Sequence, residues 1–168
     1  MVKASELRKF KPFGELTERQ LAELAEACDR RRCKKQSFVY KKGDRATYLF
    51  GLSKGLVSLR DIQPGDLVGI SYEVCEPGQL FGASALVRSE MHSLAALCLE
   101  DSEVVAIEGD KILAFCKRDP DFGYNLMVTV ARRYFDRYQG AKRQLYSMMK
   151  ETAIVTALPA QRELLQAL

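Results

Sequence analysis

The 168-residue sequence has a single histidine, His92, and no tryptophan. One imidazole cannot supply a three-histidine zinc site, a two-histidine iron site or an H-E-x-x-H metalloprotease site. No Ser/Cys-His-carboxylate set or carboxylate pair stands at a recognisable spacing, so we predict that the protein is not an enzyme. His92 precedes Ser93, but successive strand residues point to opposite faces and form no catalytic dyad.

Long apolar runs and a strong charge of one sign are also missing. No run approaches the roughly 20 apolar residues that span a bilayer, so no membrane contact is predicted. Lys and Arg number 26 against 22 Asp and Glu, and this small excess does not by itself argue for nucleic acid. Scattered cysteines and the lack of a signal-like opening segment predict a cytoplasmic protein with reduced thiols. Cys28 and Cys33 are interpreted as buried small hydrophobic residues rather than as iron-sulfur ligands.

The first regular element that the sequence predicts is an amphipathic helix. Thr17 and Gln20 have the spacing of a capping box, and Leu16 and Leu21 stand where a hydrophobic staple packs across a helix start. Apolar residues continue at helical spacing as far as Cys28. The length and composition of the chain predict one compact domain with an appendage.

Between residues 33 and 107 the sequence changes to short strand-like segments separated by turn residues. Pro64 and Gly65 form the centre of a turn that should join two antiparallel strands. Other strands are predicted at 37–41, 48–52, 56–60, 93–99 and 103–107. The strand after the turn alternates Val68, Ile70, Tyr72 and Val74 with small or polar residues, which is typical of a half-buried strand. These spacings favour a β-sandwich or jelly roll over βαβ units.

A long helix is predicted after the strands. Asp119 and Pro120 supply a cap and a first-turn proline, and an apolar stripe follows over about three heptads. The stripe either packs onto its own β-roll or joins a second copy, and we favour a homodimer because the helix exceeds the small barrel in length. The candidate dimer residues are Met127, Val130, Tyr134, Tyr138, Ala141 and Leu145. We predict a β-roll with its N-terminal helix at 1–118, the long helix at 119–151, and a short tail or helix at 152–168.

Two segments of the predicted roll carry a framework of glycines. Segment 40–57 contains the turn glycines Gly43 and Gly55, and segment 77–82 ends in a Phe-Gly pair. Over about residues 5–150 this framework resembles the cyclic-nucleotide-binding domain family, including the sensor half of catabolite-activator-type transcription factors. The resemblance implies a mainly β fold with flanking helices, a β-roll or double-stranded β-helix with an N-terminal helix and a long C-terminal dimerisation helix. It also implies a regulatory domain that senses a ligand.

The Phe-Gly pair introduces a candidate ligand site. A glycine-bearing turn that leads into a short helix exposes backbone N–H groups, which favour an anion. In the resembled family, a glutamate after the pair holds a ribose hydroxyl, and a later arginine followed by Ser or Thr binds the cyclic phosphate. The candidate ligand-binding residues are Phe81, Gly82, Ala83, Ser84, Ala85, Arg88, His92 and Ser93.

Two of these positions depart from the family pattern. Ala83 replaces the glutamate and His92 replaces the arginine, whereas Ser93 is retained. Hydrogen bonds to charged groups are worth about 1.5 to 3 kcal/mol each, so the loss of both anchors weakens cyclic-nucleotide affinity by about 3 to 6 kcal/mol. Cyclic AMP binding through the usual contacts is therefore not expected. Arg88 is the nearest alternative cation.

His92 has three interpretations. It is a polar histidine at the entry of a strand, or an anion contact that is charged at low pH because its ordinary pKa lies near 6.5. Ligation of haem or a metal is the least favoured interpretation, since no partner ligand is evident, and no metal site is predicted.

Three functions stay open at this point. The favoured one is a sensor whose ligand is a cyclic nucleotide or another small anion. The second is the sensor part of a catabolite-activator-type regulator without its DNA-binding domain, because the residues after Met149 are too few for a winged helix-turn-helix; this chain alone is then not expected to bind DNA. The third is a degenerate module that only dimerises or docks to another protein.

Overall fold

A computed structural model describes residues 2–67 and 69–156, with side chains up to residue 150. The strands are β1 (Cys28–Cys33), β2 (Phe38–Tyr40), β3 (Tyr48–Lys54), β4 (Val57–Asp61), β5 (Ile70–Cys75), β6 (Leu80–Phe81), β7 (Ala95–Cys98) and β8 (Ser102–Glu108). They form two antiparallel sheets, one in the order β1-β8-β3-β6 and the other in the order β2-β7-β4-β5. The predicted mainly β jelly roll is therefore confirmed.

Helices flank the two sheets. They are α1 (Ala4–Leu7), α2 (Glu18–Glu26), α3 (Gly109–Arg118) and α4 (Pro120–Thr156), and 3₁₀ turns cover Lys11–Phe13 and Ala83–Ala85. The chain divides into two compact units after Arg132, so the first holds the roll and the start of α4. In the described ranges, no helix combines the length and apolar character that crossing a bilayer requires. Helix α4 extends into the predicted tail, of which 157–168 lie outside the described residues.

The capping box predicted at Thr17 is confirmed. The Thr17 N–H donates to Gln20 Oε1 at 2.9 Å, and the Gln20 N–H donates to Thr17 Oγ1 at 3.3 Å. Leu16 and Leu21 are both buried, as the staple requires. The helix is shorter than predicted, because Cys28 begins β1 and pairs with Ile107 of β8.

Strand β5 forms where the alternating pattern predicted a strand, but its apolar side chains face outward. Ile70 is 62% exposed, Tyr72 39% and Val74 45%, whereas Cys75 is fully buried. The register of β5 with β4 sets Cys75 opposite the buried Val57, and a strand presents alternate residues to the core. The pattern thus predicted the strand and gave the wrong inner face. The fourth apolar residue of the pattern, at position 68, lies outside the described residues.

Two hydrophobic cores hold the first unit together. One lies between the sheets and includes Phe50, Leu52 and Val104. The other packs the N-terminal helices, α3 and the start of α4 against the first sheet, with Phe10 and Leu126 at its centre. Strand β6 joins the two cores, because Leu80 belongs to the helical core and Phe81 belongs to the core between the sheets.

Two of the candidate dimer residues are used inside the first unit. Val130 is 8% exposed and belongs to the helical core, and Met127 packs against that core. The interpretation that the stripe packs onto its own roll therefore holds for these two positions. In the second unit, Tyr134, Tyr138 and Leu145 are 41%, 60% and 59% exposed, so the stripe that a partner can reach begins at Tyr134.

Candidate anion-binding site

The candidate cradle begins at Gly82, directly after β6. Its backbone has φ +74° and ψ +30°, in the left-handed region. A Cβ at this position would lie 2.9 Å from the ring of Phe50 and 3.2 Å from the carbonyl oxygen of Tyr48. Both the dihedral angle and the close approach therefore require glycine here.

Some of the backbone N–H groups that follow Gly82 donate hydrogen bonds to other backbone groups of the described ranges, and others do not. The Ala85 N–H donates to the Gly82 carbonyl at 3.3 Å, and the Ser89 N–H donates to the Ser84 carbonyl at 3.1 Å. Among the turn and loop hydrogen bonds of the described residues, none involves the N–H of Ala83 or Ser84. The start of the 3₁₀ turn thus keeps the two amides that an anion would accept from.

His92 lies in the core rather than at a ligand surface. Its ring stacks on Tyr40 with 3.7 Å between centroids and 14° between planes, and the residue is 3% exposed. Its Nδ1 atom is buried and has no hydrogen-bond partner within the described part of the chain. Burial lowers the pKa of His92, and the negative charge of Asp44 partly opposes this effect. The imidazole is therefore held in its neutral form, which is unsuited to binding phosphate.

Phe81 belongs to the same aromatic cluster. Its ring stacks on Phe50 at 5.4 Å and on Tyr40 at 6.1 Å, and the residue is 3% exposed. Phe81 and His92 were predicted to contact a ligand, and the structure places both in the core instead. The reason is packing: aromatic side chains from three separated segments fill this end of the space between the sheets.

A surface cavity of about 740 Å³ adjoins the 3₁₀ turn. It includes two of the candidate residues, Ala85 and Arg88, and also Arg45 from the loop between β2 and β3. Arg45 and Met91 form an isolated antiparallel bridge, and the Ala46 N–H donates to the carbonyl of Glu90 at 3.0 Å. Backbone pairing thus brings the two arginine-bearing segments together.

The cavity has a mixed charge that includes two arginines and two carboxylates. Arg45 and Arg88 are exposed, and neither takes part in a salt bridge among residues 2–67 and 69–150. The carboxylates of Glu90 and Asp110 also line the cavity and partly offset the positive potential. Arg88 adopts φ +54°, a conformation that non-glycine residues rarely take and that often occurs at binding sites.

Sequence reasoning found Arg88 and missed Arg45. The two are far apart in the chain, and only the bridge of Arg45 with Met91 shows that they share a cavity. Of the other candidates, Ser93 is exposed, Ala83 is half-buried and Ser84 is buried.

Residues 30–119 match the profile of the cyclic nucleotide-binding domain. The chain belongs to the cyclic nucleotide-binding domain family. In this member of the family, a half-buried alanine, Ala83, and a buried histidine, His92, occupy the positions that the resemblance assigns to the ribose and phosphate anchors.

Known proteins of this family share both sequence and fold with the chain. It is 30% identical over 95 residues to the cyclic AMP receptor protein of Thermus thermophilus, covering 56% of this chain and 44% of that relative. The chain thus matches less than half of the relative's length.

Two solved structures show the same architecture. The catabolite activator protein of Thermus thermophilus superposes with a TM-score of 0.66 at 26% identity, over 81% of this chain and 62% of that one. The sensor domain of the transcriptional regulator DNR from Pseudomonas aeruginosa gives a TM-score of 0.69 over 80% of this chain and 90% of its own. Its identity is 18%, so this likeness concerns the fold alone.

Proposed function

We propose that this chain is a non-enzymatic regulatory domain that binds a small anionic ligand and transmits binding to its C-terminal helix. The observation that carries the proposal is the cavity where Arg45 and Arg88, from two different loops, meet beside the 3₁₀ turn. Two guanidinium groups that have no ion-pair partner among the described residues, close to the N–H groups at the start of the turn, form a site for a phosphate or carboxylate. The membership of the family supports a ligand-binding role over a purely structural one.

The ligand does not make the contacts with a glutamate and an arginine by which the resembled family binds cyclic AMP. Ala83 offers no acceptor to a ribose hydroxyl, and the neutral, buried His92 offers no charge to a cyclic phosphate. The resulting loss of about 3 to 6 kcal/mol corresponds to a weakening of about a hundredfold to ten-thousandfold. The arginines at the cavity rim therefore replace the lost cation, and the ligand is a nucleotide or another small anion that reaches them.

Calorimetric titration with cyclic mononucleotides and cyclic dinucleotides tests this site. We expect Arg45→Ala and Arg88→Ala each to weaken the binding of an active compound by about tenfold or more. Arg19→Ala, an exposed arginine on α2, is the charge-matched control and should leave affinity unchanged. If the wild-type protein binds no compound of the panel, the proposal of a nucleotide ligand is wrong. Equal losses in all three variants show a general charge effect instead of a site.

A second experiment tests the alignment of the site with the family. The double variant Ala83→Glu, His92→Arg restores both anchors that the resemblance implies. Because His92 is stacked on Tyr40 in the core and the proposed site lies at Arg45 and Arg88, we expect cyclic AMP affinity to stay unchanged. A rise of tenfold or more, in a variant that still unfolds cooperatively, would show that the pocket lies at positions 83 and 92 and not at the two arginines.

For the second unit we propose homodimerisation through one face of α4. Large apolar side chains are exposed there, among them Tyr138, Leu145 and Tyr146 at 60%, 59% and 71%. A lone helix in water gains little from propensity, and burial of such a face against a copy stabilises it. Sedimentation equilibrium should show a dimer for the wild type and a monomer for Leu145→Glu. The neighbouring polar substitution Gln144→Glu adds the same charge and should keep the dimer.

The burial of His92 against Tyr40 favours one alternative, which is a degenerate module that only dimerises or docks to a partner. It predicts a thermal midpoint that is unchanged by every compound of a metabolite screen, since ligands that bind the native state raise stability.

Function as the sensor part of a catabolite-activator-type regulator is the other alternative. In either case we propose a cytoplasmic protein without membrane contact or DNA binding by this chain alone. A sequence-specific gel shift with this chain would contradict the last point.

A further inference from the structure

Two cysteine thiols meet inside the roll although they belong to different sheets. Cys33 ends β1 and Cys98 ends β7. After burial, the Cys33 side chain is the next cause of the raised pKa of the Cys98 thiol, so the two side chains lie near each other. Cys98 is fully buried, and the half-buried Cys33 packs against the core cluster that contains Cys98.

Backbone hydrogen bonds hold this pair in place. The Gln36 N–H donates to the Cys98 carbonyl at 2.8 Å, and the Cys98 N–H donates to the Ser37 carbonyl at 2.9 Å. On the other side, Cys33 pairs with Ser102 in the register of β1 and β8. The position of Cys98 beside the segment that follows Cys33 therefore belongs to the folded framework.

Access to the two sulfurs differs. A surface cavity of about 260 Å³ is lined by Cys33 together with Lys34, Lys54 and Asp101, and its lining does not include Cys98. A small solute thus reaches Cys33 from this cavity, while Cys98 is fully buried.

We propose that Cys33 and Cys98 form a reversible intramolecular disulfide when the protein meets a hydroperoxide. The Cys33 thiolate attacks one oxygen of hydrogen peroxide, and the O–O bond breaks. Cys33 becomes a sulfenic acid, and the other oxygen takes up the proton that the thiol lost and departs as water. The Cys98 sulfur then attacks the Cys33 sulfur, and hydroxide departs with the Cys98 proton as a second water. Two thiols and one hydrogen peroxide thus yield one disulfide and two waters, and a thiol reductant reverses the reaction.

The environment of Cys98 assigns it the role of the second thiol to react and not of the thiol that meets the peroxide. Burial raises the pKa of the Cys98 thiol to about 11, so the residue stays protonated and protected until its neighbour is oxidised. The proximity of the two residues in the fold then gives the second step the advantage of an intramolecular reaction. Such transient, redox-responsive disulfides are the kind that occur in reducing compartments.

The bond would join strand β1 of one sheet to strand β7 of the other. A cross-link between residues so far apart in the chain restricts the unfolded state strongly. We therefore expect oxidation to raise the thermal midpoint of the protein by several degrees, and reduction to restore the original value.

Thiol counting and peptide mapping test the proposal on the complete chain. After hydrogen peroxide and then denaturant, the wild type should retain three of its five thiols, and a digest should contain one peptide pair linked through Cys33 and Cys98. Cys33→Ser and Cys98→Ser should form no intramolecular disulfide. The control Cys116→Ser removes another half-buried thiol and should still form the bond.

Each other result decides against the proposal. Five free thiols after peroxide treatment, a linked pair that involves another cysteine, or a disulfide between two chains would each overturn it. Cys33 is partly exposed, so Cys33→Ser is expected to fold even where a change at the buried Cys98 prevents folding. The peptide map of the oxidised wild type provides a test that depends on no variant.

Discussion

The imidazole of His92 lies parallel to the phenol ring of Tyr40, with 3.7 Å between the two ring centroids. The stack closes the position at which the resemblance to the family implies a phosphate-binding arginine. Burial keeps the imidazole neutral, and Tyr40 itself is 8% exposed. The positive charge near this turn is supplied instead by the exposed side chains of Arg45 and Arg88, which explains why the proposed site lies at the rim of the turn.

The stack of His92 on Tyr40 stabilises the protein because the buried imidazole ring packs closely against the phenol ring. Replacement of His92 by alanine removes a buried ring, and we expect the free energy of unfolding to fall by about 2 to 4 kcal/mol. His92→Phe keeps an aromatic plane against Tyr40 and removes the unpartnered Nδ1, so its effect should stay below about 1.5 kcal/mol. Urea denaturation measures both, with the exposed Ser93→Ala as control. Equal losses in the two His92 variants would contradict the packing role.

The same residue should make stability depend on pH. Burial lowers the pKa of folded His92 from its ordinary 6.5, so the unfolded chain takes up a proton first as the pH falls. The His92 contribution is complete above about pH 6.5 and is lost progressively between that value and the lower folded pKa. We expect His92→Phe to lose less stability than the wild type between about pH 7.5 and pH 5.5. Parallel pH profiles of the two proteins would rule out this contribution.

Gly82 should tolerate substitution less well than another glycine with a positive φ. Gly43 has φ +87° and nothing within 4 Å of an added Cβ, so Gly43→Ala should cost only the backbone strain of about 1 to 2 kcal/mol. Gly82→Ala adds the contact with Phe50 at 2.9 Å and should cost about 1 to 3 kcal/mol more. Thermal and urea unfolding of the two variants measures the difference. Equal costs would show that the close approach to Phe50 is unimportant.

The capping box of α2 provides a fourth prediction. Thr17→Ala removes the oxygen that accepts the Gln20 N–H, and we expect a loss of about 1 kcal/mol in the free energy of unfolding. Thr17→Ser retains a hydroxyl and should recover most of that loss. If serine and alanine destabilise the protein equally, the hydroxyl makes no net contribution.

Much of the fold was predictable because the signals are local. The cap at Thr17 and the turn at Pro64 and Gly65 each depend on a few neighbouring residues. Strand β1 was missed because its sequence is mostly charged, and it becomes a strand by pairing with β8, as in the register of Arg30 with Val105. Strand propensity is a weak guide where such pairing decides the structure.

By itself, the sequence determined the jelly-roll class, the family, the glycine at position 82, and the absence of a carboxylate at Ala83. Only the tertiary structure decided that His92 enters the aromatic core, that Arg45 joins Arg88, and that Cys33 meets Cys98. The physical reason is that these relationships depend on the packing and register of segments that are distant in the chain. A residue's neighbours in sequence constrain its backbone, whereas its burial and charge environment depend on what the other strands place against it.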